Sequence, residues 1–104
     1  MKPKSSEKEI QASVKEWLEA NGFLVLKYNN VGIKKPDGSY IPVGRRGVCD
    51  LFAFKQGWTC VGVECKSETG KLSEAQKEFA VDFEAHGQRY VVARNIEDII
   101  KAIG

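Results

Sequence analysis

The sequence has few of the residues that build zinc sites, disulfide frameworks or membrane spans. Its 104 residues include one histidine and three cysteines, and no two cysteines form a C-x-x-C pair, so a zinc site is not expected. No apolar run approaches the roughly 20 residues that cross a bilayer. The N-terminus, MKPKSSEKEI, has no apolar stretch such as a secretory signal needs. We therefore expect a location in the cytoplasm or nucleus and no membrane partner.

The three cysteines, Cys49, Cys60 and Cys65, are an odd number and lie in or beside apolar runs. A catalytic thiol needs a neighbouring base, and the one histidine, His86, lies in no segment that predicts such a partner. We interpret the cysteines as reduced thiols that act as small apolar side chains in strands.

Acidic and basic residues nearly balance, with 16 Lys and Arg against 14 Asp and Glu, so the net charge of +2 says little about a nucleic-acid partner. The distribution of charge says more. Lys34, Lys35, Arg45 and Arg46 lie in one stretch whose only acid is Asp37, which indicates a local surface for phosphate groups. The alternative is an ordinary solvated face.

Hydrophobic periodicity predicts one domain, spanning residues 1–104, with the element order helix, three strands, helix, strand, helix. Ser5 or Ser6, Ser73 and Asn95 can cap the helices, and apolar runs predict strands at 23–28, 48–54, 59–66 and 88–93. A strand, helix, strand succession requires a crossover and hence a parallel pair. The fold class is therefore α/β, with a mixed sheet flanked by helices.

A turn signal, Pro36-Asp37-Gly38-Ser39, interrupts the polar middle of the chain. It predicts a short exposed hairpin within residues 33–47, which we call the arm. Its basic residues favour contact with DNA, whereas its apolar residues, Tyr40, Ile41 and Val43, would allow packing on a partner subunit.

Two acids interrupt apolar strands. Asp50 is the one charged residue of the 48–54 run, and Glu64 lies in the 59–66 run, which a hairpin brings alongside. Carboxylates on neighbouring strands can share a hard divalent cation such as Mg²⁺ or Mn²⁺. Lys66 points to the same face as Glu64 and can orient a water molecule in attack on a phosphodiester. The alternative is a structural salt bridge from Lys66 to one of the acids.

The motifs Gly47-Val48-Cys49-Asp50, Glu64-Cys65-Lys66 and Leu72-Ser73-Glu74-Ala75-Gln76 together resemble the VRR-NUC domain of the PD-(D/E)xK nuclease superfamily. The resemblance covers residues 6–103 and implies a restriction-endonuclease-like core. Cys49 departs from the pattern, since the family usually has proline there, but this position carries no catalytic group.

The resemblance also implies roles for individual residues. Asp50 and Glu64 would hold the metal, with the backbone carbonyl of Cys65 as a further ligand, and Lys66 would be the catalytic lysine. Gln76 would lie near the site and steady it or a phosphate group, whereas the alternative is a solvated glutamine.

Related junction-cutting enzymes add a glutamate from the first helix near the metal, and two candidates exist here, Glu7 and Glu9. At 100° per residue, Glu7 falls between Val14 and Leu18 on the inward stripe, and Glu9 falls off its edge. We prefer Glu7, although rotation of a frayed helix end would expose either residue.

By this resemblance the chain is expected to be a Mg²⁺- or Mn²⁺-dependent DNA endonuclease in the cytoplasm of a bacterial or phage-infected cell, similar to Holliday-junction resolvases and selective for branched DNA. A homodimer is expected because paired cuts need two sites. One alternative is a non-catalytic nucleic-acid-binding module of the same fold. A regulatory or scaffold domain is the other, but it would leave Asp50 unexplained.

Overall fold

The structure of the chain is a computed structural model that describes residues 5–28, 32–42 and 44–104. Val43, one of the apolar residues of the arm, lies outside these ranges. The described helices and strands are, in chain order, α1 Glu7–Ala20, β1 Leu24–Lys27, β2 Gly32–Lys34, β3 Tyr40–Pro42, β4 Leu51–Phe54, β5 Val61–Cys65, α2 Glu74–Ala85, β6 Arg89–Ala93 and α3 Ile96–Ile103. The predicted helices and strands are thus all present.

Side-chain caps explain where the helices begin. In α1 the hydroxyl of Ser6 accepts from the N–H of Glu9, and the Glu9 carboxylate accepts from the N–H of Ser6. In α2 the same reciprocal pair forms between Ser73 and Gln76. Such capping boxes satisfy backbone donors that have no partner in the first turn of a helix.

The main sheet has the strand order β1-β4-β5-β6. Strand β4 runs antiparallel to both of its neighbours, β1 and β5, whereas β5 and β6 are parallel and are joined through α2. The predicted α/β class with a mixed sheet is therefore confirmed. Strands β2 and β3 form a separate two-stranded sheet, which is the predicted hairpin of the arm.

Alternation along the strands divides the sheet into two faces. One face packs on α1 and α3 and supplies most of the buried apolar core. Its members are Ile10, Val14, Leu18, Phe23, Val25, Leu51, Ala53, Val61, Val63, Cys65, Val91, Ala93 and Ile99. The opposite face packs on α2 through the rings of Phe52, Phe79, Phe83 and Tyr90. The centroids of neighbouring rings lie 5.2–6.5 Å apart.

The cysteines are free thiols, and Cys49 and Cys65 are fully buried. Burial raises the pKa of Cys49 and of Cys65 to about 12, so neither is a reactive thiolate near neutral pH. Cys49 packs beside Gly62, where an added Cβ would lie 2.9 Å from its Sγ.

No helix in residues 5–28, 32–42 and 44–104 combines the length and apolar character needed to cross a bilayer.

Gly47 lets the loop before β4 approach the first turn of α2. Its φ is +79°, and a Cβ at this position would lie 2.3 Å from the backbone of Ala75 and 2.6 Å from the amide nitrogen of Gln76. Because any side chain would meet backbone, the loop or the start of α2 would have to move.

We predict that Gly47→Ala destabilises the protein more than Gly57→Ala. Gly57 has a similar φ, +81°, but nothing lies within 4 Å of an added Cβ, so both variants carry backbone strain and only Gly47→Ala adds overpacking. The difference in unfolding free energy should be about 1–3 kcal/mol, measured by urea denaturation. Equal losses in the two variants would contradict the close approach of this loop to α2.

Candidate active site

The hairpin of β4 and β5 brings Asp50 and Glu64 together at one end of the sheet. Leu51 pairs with Val63 in the antiparallel register, so the residue before β4 lies beside Glu64. The Asp50 carboxylate accepts a 2.7 Å hydrogen bond from the N–H of Cys65. Asp50 is therefore held by the backbone of the strand that carries Glu64.

Glu64 is a carboxylate buried in the sheet, with 2% of its surface exposed. Its Oε1 accepts from the side-chain amide of Gln76 and lies 3.8 Å from Lys66 Nζ. Its Oε2 is buried and has no hydrogen-bond partner among the described residues. Burial raises the pKa of Glu64 to about 8. A hydrogen bond to the Asp50 carboxylate, which forms when Glu64 is protonated, and the charge of Asp50 add to this, and the charge of Lys66 opposes it.

Lys66 makes the salt bridge to Glu64 that was the alternative interpretation of this lysine. The Lys66 side chain is itself largely buried, with 13% of its surface exposed. The contact reaches only Oε1 of Glu64 at 3.8 Å, however, and leaves Oε2 without a partner. The salt bridge therefore does not account for the whole of this buried carboxylate.

Gln76 is not a solvated glutamine. Its amide oxygen accepts from the backbone N–H of Ser73 at 2.8 Å, and its amide nitrogen donates to Glu64 Oε1. The two ends of one amide thus join the cap of α2 to the buried carboxylate. This double role explains why a serine and a glutamine three residues apart accompany the acids of β4 and β5 in the sequence.

The first helix separates the two glutamate candidates. Glu9 is occupied in the capping box with Ser6. Glu7 is exposed, so its predicted place on the inward stripe is wrong, because the buried stripe of α1 begins only at Ile10. Its charge is nevertheless one of those that raise the pKa of Cys65, after burial and the charges of Asp50 and Glu64. Glu7 therefore lies on the Cys65 side of the molecule.

The donor set fits a hard divalent cation. Within the described ranges, no group of three or more His, Cys, Asp or Glu residues lies close enough together to hold a metal. The side-chain ligands of a cation here would therefore be two, Asp50 and Glu64. Mg²⁺ commonly uses one or two carboxylates and keeps several waters. The unpartnered Oε2 of Glu64 is a buried acceptor that such an ion would satisfy, and the carbonyl of Cys65 follows it in the chain.

The four basic residues of the predicted phosphate surface divide into two groups. All four are exposed, and Lys34 and Lys35 lie in the hairpin of the arm. Arg45 instead forms a 2.7 Å ion pair with Asp82 of α2, and its guanidinium lies 5.4 Å from the centre of the Phe79 ring. Sequence reasoning missed this pairing because 37 residues separate the partners.

Arg94 was also missed. Its Nη1 donates to the carbonyl oxygens of Ser67 at 2.7 Å and Gly70 at 2.6 Å. These hydrogen bonds hold the loop that runs from Lys66 to the cap of α2. No sequence signal identifies such a residue, since its partners are backbone carbonyls that any residue type supplies.

The raised pKa of Glu64 predicts that the metal-free protein becomes less stable as the pH rises. The folded pKa of about 8 exceeds the ordinary glutamate value of 4.5, so the folded state binds the proton more tightly. The stability that proton binding by Glu64 gives to the folded state is fully present below about pH 4.5 and is lost as the pH rises through 8. At about 1.4 kcal/mol per pKa unit, the loss should reach a few kcal/mol.

Glu64→Gln should remove this pH dependence and be more stable than wild type at pH 8 in the presence of EDTA. Thermal melting from pH 4.5 to 9 measures the effect, and Glu84→Gln, at an exposed position of α2, is the matched control. A wild-type protein whose melting temperature stays level or rises from pH 5 to 8 relative to Glu64→Gln would contradict the raised pKa.

No family model and no curated protein matches the chain, but solved structures do. A VRR_NUC domain is 24% identical, with a TM-score of 0.69, over 95% of this chain and 96% of its own. A VRR_NUC domain protein is 20% identical, with a TM-score of 0.67, over 97% of this chain and 87% of its own. The chain therefore has the fold of the solved VRR_NUC domains, as the spacing of its motifs predicts.

Proposed function

We propose that this chain is a DNA endonuclease that uses Mg²⁺ or Mn²⁺ to hydrolyse phosphodiester bonds. The observation that carries the proposal is the buried carboxylate of Glu64, which has an unpartnered oxygen beside Asp50 and a lysine on the same face. A buried carboxylate oxygen without a partner is costly, so a structural role alone explains Glu64 poorly. The VRR_NUC fold of the solved relatives adds support.

Each residue has a separate task in this proposal. Asp50 and Glu64 hold the cation, with the Cys65 carbonyl as a further oxygen ligand and Glu7 as a candidate fourth contributor. The cation would supply positive charge at the scissile phosphate and lower the pKa of the attacking water. Lys66 orients that water and stabilises the negative charge that develops on the phosphate. Gln76 anchors one oxygen of Glu64 by donating to Oε1.

Lys34, Lys35, Arg45 and Arg46 would contact the DNA backbone in this proposal. Arg45 differs from the others because its guanidinium already forms an ion pair with Asp82. A phosphate would have to displace that carboxylate or share the guanidinium with it. A homodimer acting on branched or junction DNA is the arrangement we propose, since paired cuts need two sites.

The competing proposal is a module that binds nucleic acid without cutting it. Purified protein should be incubated with linear, flapped, splayed and four-way DNAs in Mg²⁺ or Mn²⁺, and binding should be measured in Ca²⁺. Cleavage of any of these substrates that depends on the metal supports the nuclease. Binding in Ca²⁺ with no cleavage in either active metal supports the module.

Substitutions should separate metal binding from the chemical step. We predict that Asp50→Asn and Glu64→Gln each lose Mn²⁺ binding in calorimetry and more than about 100-fold in cleavage rate. Lys66→Ala should lose a comparable factor in rate but retain its Mn²⁺ affinity. Lys66→Arg should not restore activity, because a planar guanidinium cannot replace a compact ammonium at a fixed distance.

Glu84→Gln serves as the control for all four variants. Full cleavage activity in Asp50→Asn or Glu64→Gln would refute the metal assignment. A near-normal rate in both Lys66 variants would leave Lys66 as a structural ion-pair partner of Glu64.

The arm should contribute to the electrostatic part of DNA binding. Replacing Lys34 and Lys35 with alanine should weaken binding and reduce the slope of log K against log[salt] by about 0.9 for each lost phosphate contact on duplex DNA. Lys101→Ala on α3 is the control, since that helix packs on the opposite face of the sheet from α2.

Sedimentation of a protein with a shortened arm tells its two possible tasks apart. A dimer that persists with weaker DNA binding favours the contact with DNA, whereas a monomer favours packing on the partner subunit. A dimer with an unchanged salt slope would show the arm to be a solvated loop.

A further inference from the structure

Tyr90 carries a buried hydroxyl that has no hydrogen-bond partner among the described residues. Its ring packs in the aromatic layer under α2, 6.2 Å from the ring of Phe79. Phenylalanine would fill the same space without bringing a polar group into it. Because an unpartnered buried hydroxyl costs free energy of unfolding, packing alone does not explain the tyrosine.

The sheet register brings this hydroxyl to the candidate site. In the parallel pair of β5 and β6, Tyr90 lies opposite Gly62 and Val92 lies opposite Glu64. Residues 62 and 64 of one strand point to the same face, so Tyr90 and Glu64 share that face. Residue 62 is glycine, so β5 itself adds no side chain between the Tyr90 ring and the carboxylate, although Cys49 Sγ and the Phe83 ring pack over Gly62.

Two unpartnered buried oxygens therefore lie on one face of the sheet, Oη of Tyr90 and Oε2 of Glu64. The pKa of Tyr90 is raised, first by burial and next by the negative charge of Glu64. The hydroxyl is thus a neutral donor within electrostatic reach of the acid. A hydroxyl can donate to a carboxylate oxygen directly or through one bridging water.

We propose that Tyr90 is a positioning residue of the candidate site, whose hydroxyl donates, directly or through one water, to the Glu64 carboxylate and orients it toward the cation. The inference rests on the proposed metal-dependent function. Gln76 anchors only Oε1, so the carboxylate can still turn about that contact. A donor at Oε2 removes this freedom, and the oxygen keeps a second lone pair for the metal.

The test compares Mn²⁺ affinity, measured by calorimetry without DNA, in Tyr90→Phe and in wild type. Loss of a hydrogen bond that orients a metal ligand should weaken binding by about 10- to 100-fold. A cooperative melting transition of the metal-free variant shows that it is folded, so a loss of affinity then reports on the site. Tyr40→Phe, on the exposed arm, is the matched control and should retain wild-type affinity.

A second measurement applies even if Tyr90→Phe fails to fold. In wild-type protein with ¹³Cζ-labelled tyrosine, the Tyr90 resonance is assigned as the one that remains when Tyr28 and Tyr40 are replaced by phenylalanine. Addition of Mg²⁺ should shift it and leave the Tyr40 resonance unmoved. The absence of a shift would overturn the proposal.

Two failures can be told apart. Wild-type affinity in a folded Tyr90→Phe protein overturns the role of Tyr90 and leaves the metal site intact. A wild-type protein that binds no Mn²⁺ overturns the metal assignment itself, and the role of Tyr90 with it.

Discussion

The burial of one carboxylate organises this end of the molecule. Glu64 lies in a strand whose five residues are all buried, where an isolated charge is costly. Three elements converge on it: α2 supplies a donor through Gln76, the end of β5 supplies Lys66, and the bend before β4 supplies Asp50. The fold thus maintains an acid that its apolar surroundings disfavour, and it leaves one oxygen of that acid free of hydrogen bonds within the described chain.

Local structure and site geometry depend on the same atoms. The amide of Gln76 completes the capping box of α2 and also binds Glu64, so the start of the helix sets the position of the donor. Gly47 permits the loop before β4 to lie against that first turn. The loop that leads to Asp50 is thereby packed on the start of α2. The spacing of the three sequence motifs therefore has a physical origin, because each motif positions a neighbour of the others.

Much of this arrangement could be predicted from sequence, because it depends on alternation and on short-range caps. The Asp50 and Glu64 juxtaposition follows from a hairpin and a period of two, and the helix starts follow from Ser6, Ser73 and Asn95. Contacts that join distant segments could not be predicted in this way. The Arg45–Asp82 ion pair and the carbonyl contacts of Arg94 depend on tertiary packing, for which periodicity carries no information, and the exposure of Glu7 depends on where α1 leaves the core.

The same burial also links folding to function. In the metal-free protein, ionisation of Glu64 opposes folding over the range in which the raised pKa applies. A cation that binds the ionised pair in the folded state alone would offset that cost, since any ligand selective for the folded state stabilises it. Metal binding and proton release would then be coupled. A module that only held DNA would gain nothing from keeping such an acid within its sheet, which is why the proposed nuclease accounts for Glu64 better than the binding module does.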